Sequence, residues 1–208
     1  MGLMDQYQCP RGRSGRLVAK LMNRRHEPLT RWGLTKVKIE SNDVILDVGC
    51  GGGKTVNTLA QWVPKGKVFG IDHSTDMVAY SKKVTKKLID QNRVQIVAGS
   101  VEKMGFPNDY FNLVTAIETY YFWSSFRDAL KEIKRVLKPG GKLLLVNEMV
   151  QDGVYEVKNA KLIEETNVRL VPLEEIRNVM QSVRFVGVQI FTKAESPWNA
   201  VLAQKRSG

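Results

Sequence analysis

DVGCGGG at 47–53 sets an acid ahead of glycines, with Gly49, Gly51 and Gly53 at alternate positions. Glycine takes positive φ freely and lets a ligand approach the backbone where a side chain would block it. The stretch therefore suits a loop that cradles a nucleotide, although a tight turn with no ligand would use the same glycines. Asp72 favours the first reading, because an acid at the end of the next apolar run can accept hydrogen bonds from ribose hydroxyls. Loop and acid together point to an adenosine-containing ligand. The dinucleotide pattern G-x-G-x-x-G is broken, since counting from Gly49 gives Gly49, Gly51 and then Lys54. A nicotinamide oxidoreductase is disfavoured on that ground.

A second set of reactive groups lies in IETYYFW at 117–123, where Glu118 stands beside Tyr120, Tyr121, Phe122 and Trp123. Carboxylates are seldom placed among aromatic rings for packing. Glu118 suits contact with the loop's ligand, binding of a cationic substrate, or general-base work, and the aromatics suit either a substrate wall or core packing. His26 fits proton removal near neutral pH, or is an exposed histidine beside Arg24, Arg25 and Glu27. Glu148 closes a later strand and faces the same end of the sheet or orients a loop. The two histidines, with Cys9 and Cys50, have neither metal-site nor disulfide spacing, so both cysteines read as free thiols and no metal is expected.

These groups need a scaffold, and the hydrophobic pattern supplies one. VILDV (44–48) is a β-branched apolar run, followed by the glycines and by Val56, Leu59, Ala60 and Val63 at helical spacing. KVFGI (67–71) predicts a second strand, and Ser74 can cap a helix whose Met77, Tyr80, Val84 and Leu88 share a face. VQIVA (94–98) and FNLVTAI (111–117) predict the third and fourth strands. Ser125 and Asp128 form a capping box for a helix with Phe126, Ala129, Leu130, Ile133 and Leu137 inward, which PGG at 139–141 ends before a fifth strand at 142–148. Further helices are predicted near 155–166 and 173–183. Strands at 184–191 and 198–205 have too short a connection for a helical crossover, so they should pair antiparallel at the sheet edge. Alternating strands and helices predict an α/β fold: a doubly wound, mostly parallel seven-stranded Rossmann-like sheet. The chain reads as a single domain over 1–208, with a helical cap (1–40), a ligand-binding core (41–150) and a C-terminal part (151–208).

In this order, D-x-G-x-G-x-G, GIDHSTDM (70–77), FNLVTAIETYYF and LKPGGKLLL resemble the class I S-adenosylmethionine-dependent methyltransferases. The likeness covers about 40–148 and is nearest in style to the small-molecule enzymes that include the ubiquinone and menaquinone C-methyltransferases. It implies methyl transfer by in-line displacement, with S-adenosylmethionine as donor, S-adenosylhomocysteine as product and no metal. By the same resemblance Asp47 steadies the loop and the donor's amino group, while Gly49, Cys50 and Gly51 pass beneath its methionine part. Asp72 holds the ribose diol with His73 beside it, and Met77 lies against the adenine or packs in the core. Ser100, followed by Val101, stands where the family usually has an acid for the adenine amino group, a departure that also suits a donor-binding protein without catalysis. Glu118 and Tyr121 face the acceptor, with Glu118 also in reach of the donor, and His26 is a further catalytic candidate.

At 43% hydrophobic and 25% charged residues the composition is that of an ordinary globular protein. No apolar run reaches the roughly 18 residues of a membrane span, and no secretory signal precedes the core, so a cytoplasmic location is expected. The formal charge of +11 is concentrated: the first 40 residues hold nine Lys/Arg against three acids. RLVAKLMNR (16–24) carries Arg16, Lys20 and Arg24 along one helical stripe beside an apolar one. Such a cap suits an anionic small-molecule acceptor, less well a nucleic acid, or only a solvated surface. No Pro-Pro-aromatic motif of the base-methylating kind occurs.

Overall fold

In the computed structural model, residues 25–149 and 170–208 are described, with positions 151, 160, 164 and 168 between them. The basic helix expected at 16–24, and nearly all of the one expected at 155–166, lie outside the described residues.

Chain order is α1 (25–34), β1 (Val44–Val48), α2 (Lys54–Trp62), β2 (Lys67–Asp72), α3 (Thr75–Val84), α4 (Lys86–Asp90) and β3 (Val94–Ala98). β4 (Phe111–Ile117), a 3₁₀ turn at Tyr120–Phe122, α5 (Phe126–Val136), β5 (Leu137–Asn147), α6 (Leu173–Ser182), β6 (Phe185–Thr192) and β7 (Asn199–Lys205) follow. One seven-stranded sheet has the order β3-β2-β1-β4-β5-β7-β6. The first five strands run parallel, and β7 inserts antiparallel between β5 and β6. This is the expected α/β sheet with its antiparallel C-terminal pair.

Period-two alternation divides the core between the two faces of the sheet. Along β5, Leu143 and Leu145 join one apolar cluster, with α5 and α6, while Leu144 and Val146 join the other, with α1 and α2. Because both faces are covered, the strands read as continuous apolar runs. Gly33 lets α1 lie close to β5, since a Cβ there would overlap the Val146 side chain. That contact sets the height at which His26, two turns earlier, stands over the ends of the strands. No helix among the described residues is long and apolar enough to cross a membrane.

Both helix caps form as expected: the Met77 amide donates to Ser74 Oγ at 3.3 Å, and the Asp128 amide to Ser125 Oγ at 3.2 Å. Two details differ. The buried face of α3 is Met77, Val78 and Ser81 rather than Met77, Tyr80 and Val84, and Val84 is 44% exposed. The polar Ser81 sits there because α3 approaches the glycine loop, where a Cβ on Gly53 would collide with it, so an apolar pattern could not mark the position. β5 also begins earlier than expected, pairing Leu137 with Phe111 before a register shift brings Lys142 opposite Leu113.

Candidate active site

A cleft of about 790 Å³ opens at the carboxyl ends of β1, β2 and β4, under the start of α1. This is where an open parallel sheet places its ligands. His26, Asp47, Gly49, Cys50, Gly51, Asp72, His73, Met77, Ser100, Val101, Glu118 and Tyr121 line it, whereas the expected Glu148 and Tyr120 do not.

At one end the loop after β1 is tied down by its own backbone. The amides of Gly49 and Cys50 both donate to the Ile71 carbonyl, at 2.8 and 3.1 Å, which pins the loop to β2. Gly49 has φ 68°, and a Cβ there would stand 2.6 Å from Thr119 Cγ2, so glycine is required both by conformation and by space. Asp72 accepts the Gly51 amide at 2.8 Å on one oxygen and the Ser74 amide at 2.9 Å on the other. His73 Nδ1 lies 3.7 Å from the same carboxylate. Asp47 is buried beneath the loop and accepts the Thr115 hydroxyl at 2.7 Å. Burial pushes its carboxyl up to about 7, helped by the nearby charge of Asp72 and opposed by the Thr115 bond. Cys50 borders the cleft and belongs to the core, and burial raises its thiol well above the ordinary value. Met77 is buried and also lines the cleft.

The wall after β3 holds a group that sequence reasoning missed. Ser100 Oγ donates to the carboxylate of Glu102, which also accepts the amide and hydroxyl of Ser124 at 2.9 and 3.0 Å. Burial alone would raise the Glu102 carboxyl, but these hydrogen bonds outweigh it and hold it below the ordinary value. An acid thus lines the cleft two residues beyond Ser100. GSVE (99–102) already contained it, displaced from the position where the family pattern looks.

At the other end, Glu118 takes φ 58°, unusual for a residue with a side chain. One carboxylate oxygen accepts the Tyr121 hydroxyl at 2.8 Å and the Glu148 amide. Burial, then repulsion from Glu148, raises the Glu118 carboxyl to about 8. Tyr121 also accepts the Met149 amide at 3.3 Å, and burial carries its phenol well above the ordinary value. Of the expected aromatic wall, Tyr121, Phe122 and Trp123 line the cleft. Tyr120 does not: it joins the core, with its hydroxyl accepting the Val171 amide at 3.4 Å. A 3₁₀ turn rotates successive side chains by about 120°, so one of three consecutive rings must leave the wall.

His26 is not the exposed surface histidine its charged neighbours allowed. Its side chain is 18% exposed and enters the cleft, with Nε2 3.9 Å from Glu118 Oε2 and 3.8 Å from Glu148 Oε1. Burial lowers its pKa, opposed by Glu148 and assisted by Arg25. Glu148 is braced from the other side by Arg25 at 2.8 Å.

A doubly wound sheet with a glycine loop after β1 and an acid closing β2 is the architecture that the resemblance to class I methyltransferases implies. Residues 46–145 match the family model described as "Methyltransferase domain". Over that stretch, just under half of its length, the chain is similar to class I S-adenosylmethionine-dependent methyltransferases. It is 28% identical over 126 residues to the uncharacterized methyltransferase YdaC of Bacillus subtilis, covering 61% of this chain and 67% of that protein. It is 29% identical over 141 residues to the demethylmenaquinone methyltransferase of Staphylococcus saprophyticus, covering 67% and 59%. The chain spans about a third to two thirds of the length of the curated relatives it matches. A structure of the Haloferax volcanii Trm112 methyltransferase activator in complex with a methyltransferase superposes with a TM-score of 0.80 over 99% of both chains, at 19% identity. At that identity the likeness concerns the fold alone.

Proposed function

We propose that the protein transfers the methyl group of S-adenosylmethionine to a small-molecule acceptor in the cytoplasm. The carrying observation is that one cleft joins the glycine loop and Asp72 at one end to Glu118, Tyr121 and His26 at the other. The residues present fit the donor. A Cβ on Gly51, at φ 47°, would meet only the Gly49 carbonyl oxygen at 3.9 Å, so its backbone is approachable from the cleft. The described lining includes five acidic side chains, Glu27, Asp47, Asp72, Glu102 and Glu118, against Arg31 and Lys54, and the buried Asp47 and Glu118 can give up a proton when a ligand carrying a sulfonium and an ammonium binds.

When bound, the donor supplies a methyl group on a sulfur already activated as a leaving group, and the protein's work is to orient and to exclude water. Asp72 keeps lone pairs free beyond the two amides it accepts, enough for a ribose diol. Asp47 meets the ammonium from beneath the loop, and Ser100 with Glu102 offers acceptors to the adenine amino group. Phe122 and Trp123 shield the transfer region from bulk water. Glu118 and Tyr121, locked to each other, orient the acceptor, and His26 faces them across the cleft.

Calorimetry tests the donor assignment: S-adenosylmethionine and S-adenosylhomocysteine should bind and NAD should not. NAD binding without response to either donor form would overturn it. Screening whole-cell extracts with isotopically labelled donor tests the acceptor class, and label appearing only in macromolecules would rule out a small acceptor.

A further inference from the structure

Three metal-ligating side chains converge from three separate elements, His26 and Glu118 lining the cleft and Glu148 beside them. His26 comes from α1, Glu118 from just past β4 and Glu148 from just past β5, and one ligand atom of each lies within 4.8 Å of the others. The separations from His26 Nε2, 3.9 Å to Glu118 and 3.8 Å to Glu148, are too long for hydrogen bonds. Both hydrogen bonds that hold the Glu118 carboxylate go to Oε1. Oε2 has no hydrogen-bond partner among the described residues, although the side chain is only 9% exposed, and it faces the histidine. That oxygen is therefore available as a ligand atom.

We propose that His26, Glu118 and Glu148 bind one divalent first-row transition-metal cation. A point equidistant from three atoms so spaced lies roughly 2.2–2.5 Å from each, which small side-chain movements bring to the length of a bond to such an ion. One imidazole with two carboxylates suits manganese, iron or zinc, whereas magnesium and calcium favour oxygen ligands throughout. Two negative charges balance the ion. Arg25, 65% exposed, reaches Glu148 from the solvent side and shares its oxygen, so it orients the carboxylate while weakening its hold.

Three protein ligands leave coordination positions for an acceptor oxygen, nitrogen or sulfur, whose proton would then be lost more readily. This role rests on reading this end of the cleft as the acceptor site, but cation binding requires neither donor nor acceptor.

The test uses the full chain, freed of metal by a chelator and titrated with manganese(II) chloride under electron paramagnetic resonance, then with zinc chloride by calorimetry. One saturable ion per chain is expected, weakened about tenfold or more in each of His26→Ala, Glu118→Gln and Glu148→Gln. Arg25→Ala should bind at least as tightly as the parent. Thermal melts establish that each variant is folded, and the less buried His26 and Glu148 decide the matter if Glu118→Gln is not. Absence of saturable binding to the folded parent overturns the proposal, as does binding that survives all three substitutions. Donor binding is measured on the same samples. Donor without cation would sink this inference alone, and cation without donor would sink the donor assignment alone.

Discussion

The carboxylate of Asp72 accepts the amide of Gly51 at 2.8 Å, so the acid after β2 and the glycine loop after β1 form one rigid unit. The residue proposed to hold the ribose therefore also shapes the loop beneath the rest of the donor. Asp72→Ala removes a charged acceptor from two amides and two ligand hydroxyls in a partly buried place, which should weaken S-adenosylmethionine by about 2–3 kcal/mol, or roughly 30- to 150-fold. Asp72→Asn, which keeps one acceptor oxygen, should lose less. Calorimetry on both variants checks this, and parent-like affinity in a folded Asp72→Ala would remove the residue from the site.

Asp47 makes donor binding depend on pH. Its carboxyl is raised from 3.8 to about 7 in the free protein, so between those values it is largely protonated before the ligand arrives. An ammonium beside it favours the carboxylate, and binding should then expel a proton. Affinity should climb with pH by up to about tenfold per unit and level off above 7. The linkage to stability has the same origin: a raised carboxyl favours the folded state fully below its unfolded pKa and loses that contribution as pH rises towards 7. Calorimetry at pH 6 in buffers of different ionisation enthalpy measures the released proton. Asp47→Asn should abolish the release, and an unchanged proton count in that variant would refute the assignment.

Tyr121 and Glu118 should behave as a coupled pair in turnover. Tyr121→Phe deletes the 2.8 Å bond that orients the Glu118 carboxylate and leaves the Met149 amide without its partner. Turnover should fall by about tenfold to a hundredfold, with Glu118→Gln of similar size and the double variant no worse than the more impaired single one, because groups acting as a unit are not additive. Donor affinity measured alongside should change less than turnover. Full activity in both single variants on the true acceptor would move the polar chemistry elsewhere.

Gly49→Ala tests the loop. It meets both a positive φ and the Thr119 side chain, which a Cβ would approach to 2.6 Å. A loss of about 1–3 kcal/mol in stability is expected from thermal or denaturant unfolding, together with weaker donor binding. Against a Thr119→Gly background, which removes the Cγ2, Cβ and Oγ1 atoms that a Cβ at 49 would meet, Gly49→Ala should cost less stability than in the parent, leaving the backbone strain. An undiminished cost in that background would show that conformation alone governs the position.

Local chemistry and period made much of this protein legible before any fold was known. Runs such as VILDV and FNLVTAI coincide with β1 and β4 residue for residue, because strands buried on both faces are marked by continuous apolar, β-branched stretches. Ser74 and Ser125 announced their helices because capping is satisfied within three residues of chain. The glycine loop and Asp72 were legible because strand, turn and helix alternate in a sheet whose ligand end is set by topology.

What lay beyond the sequence depends on distances between residues far apart in the chain. Ser81 belongs to the core because α3 meets the glycine loop, and Tyr120 leaves the aromatic wall because a 3₁₀ turn points it towards Val171. Glu102 reaches the cleft through hydrogen bonds with Ser124, 22 positions away. His26 and Glu118 are separated by 92 positions, and Glu148 by a further 30, with no shared motif or spacing. Their meeting follows from α1 lying on β5 at Gly33 and from β4 and β5 ending side by side. Packing of whole elements makes that juxtaposition, and no pattern within a local window encodes it.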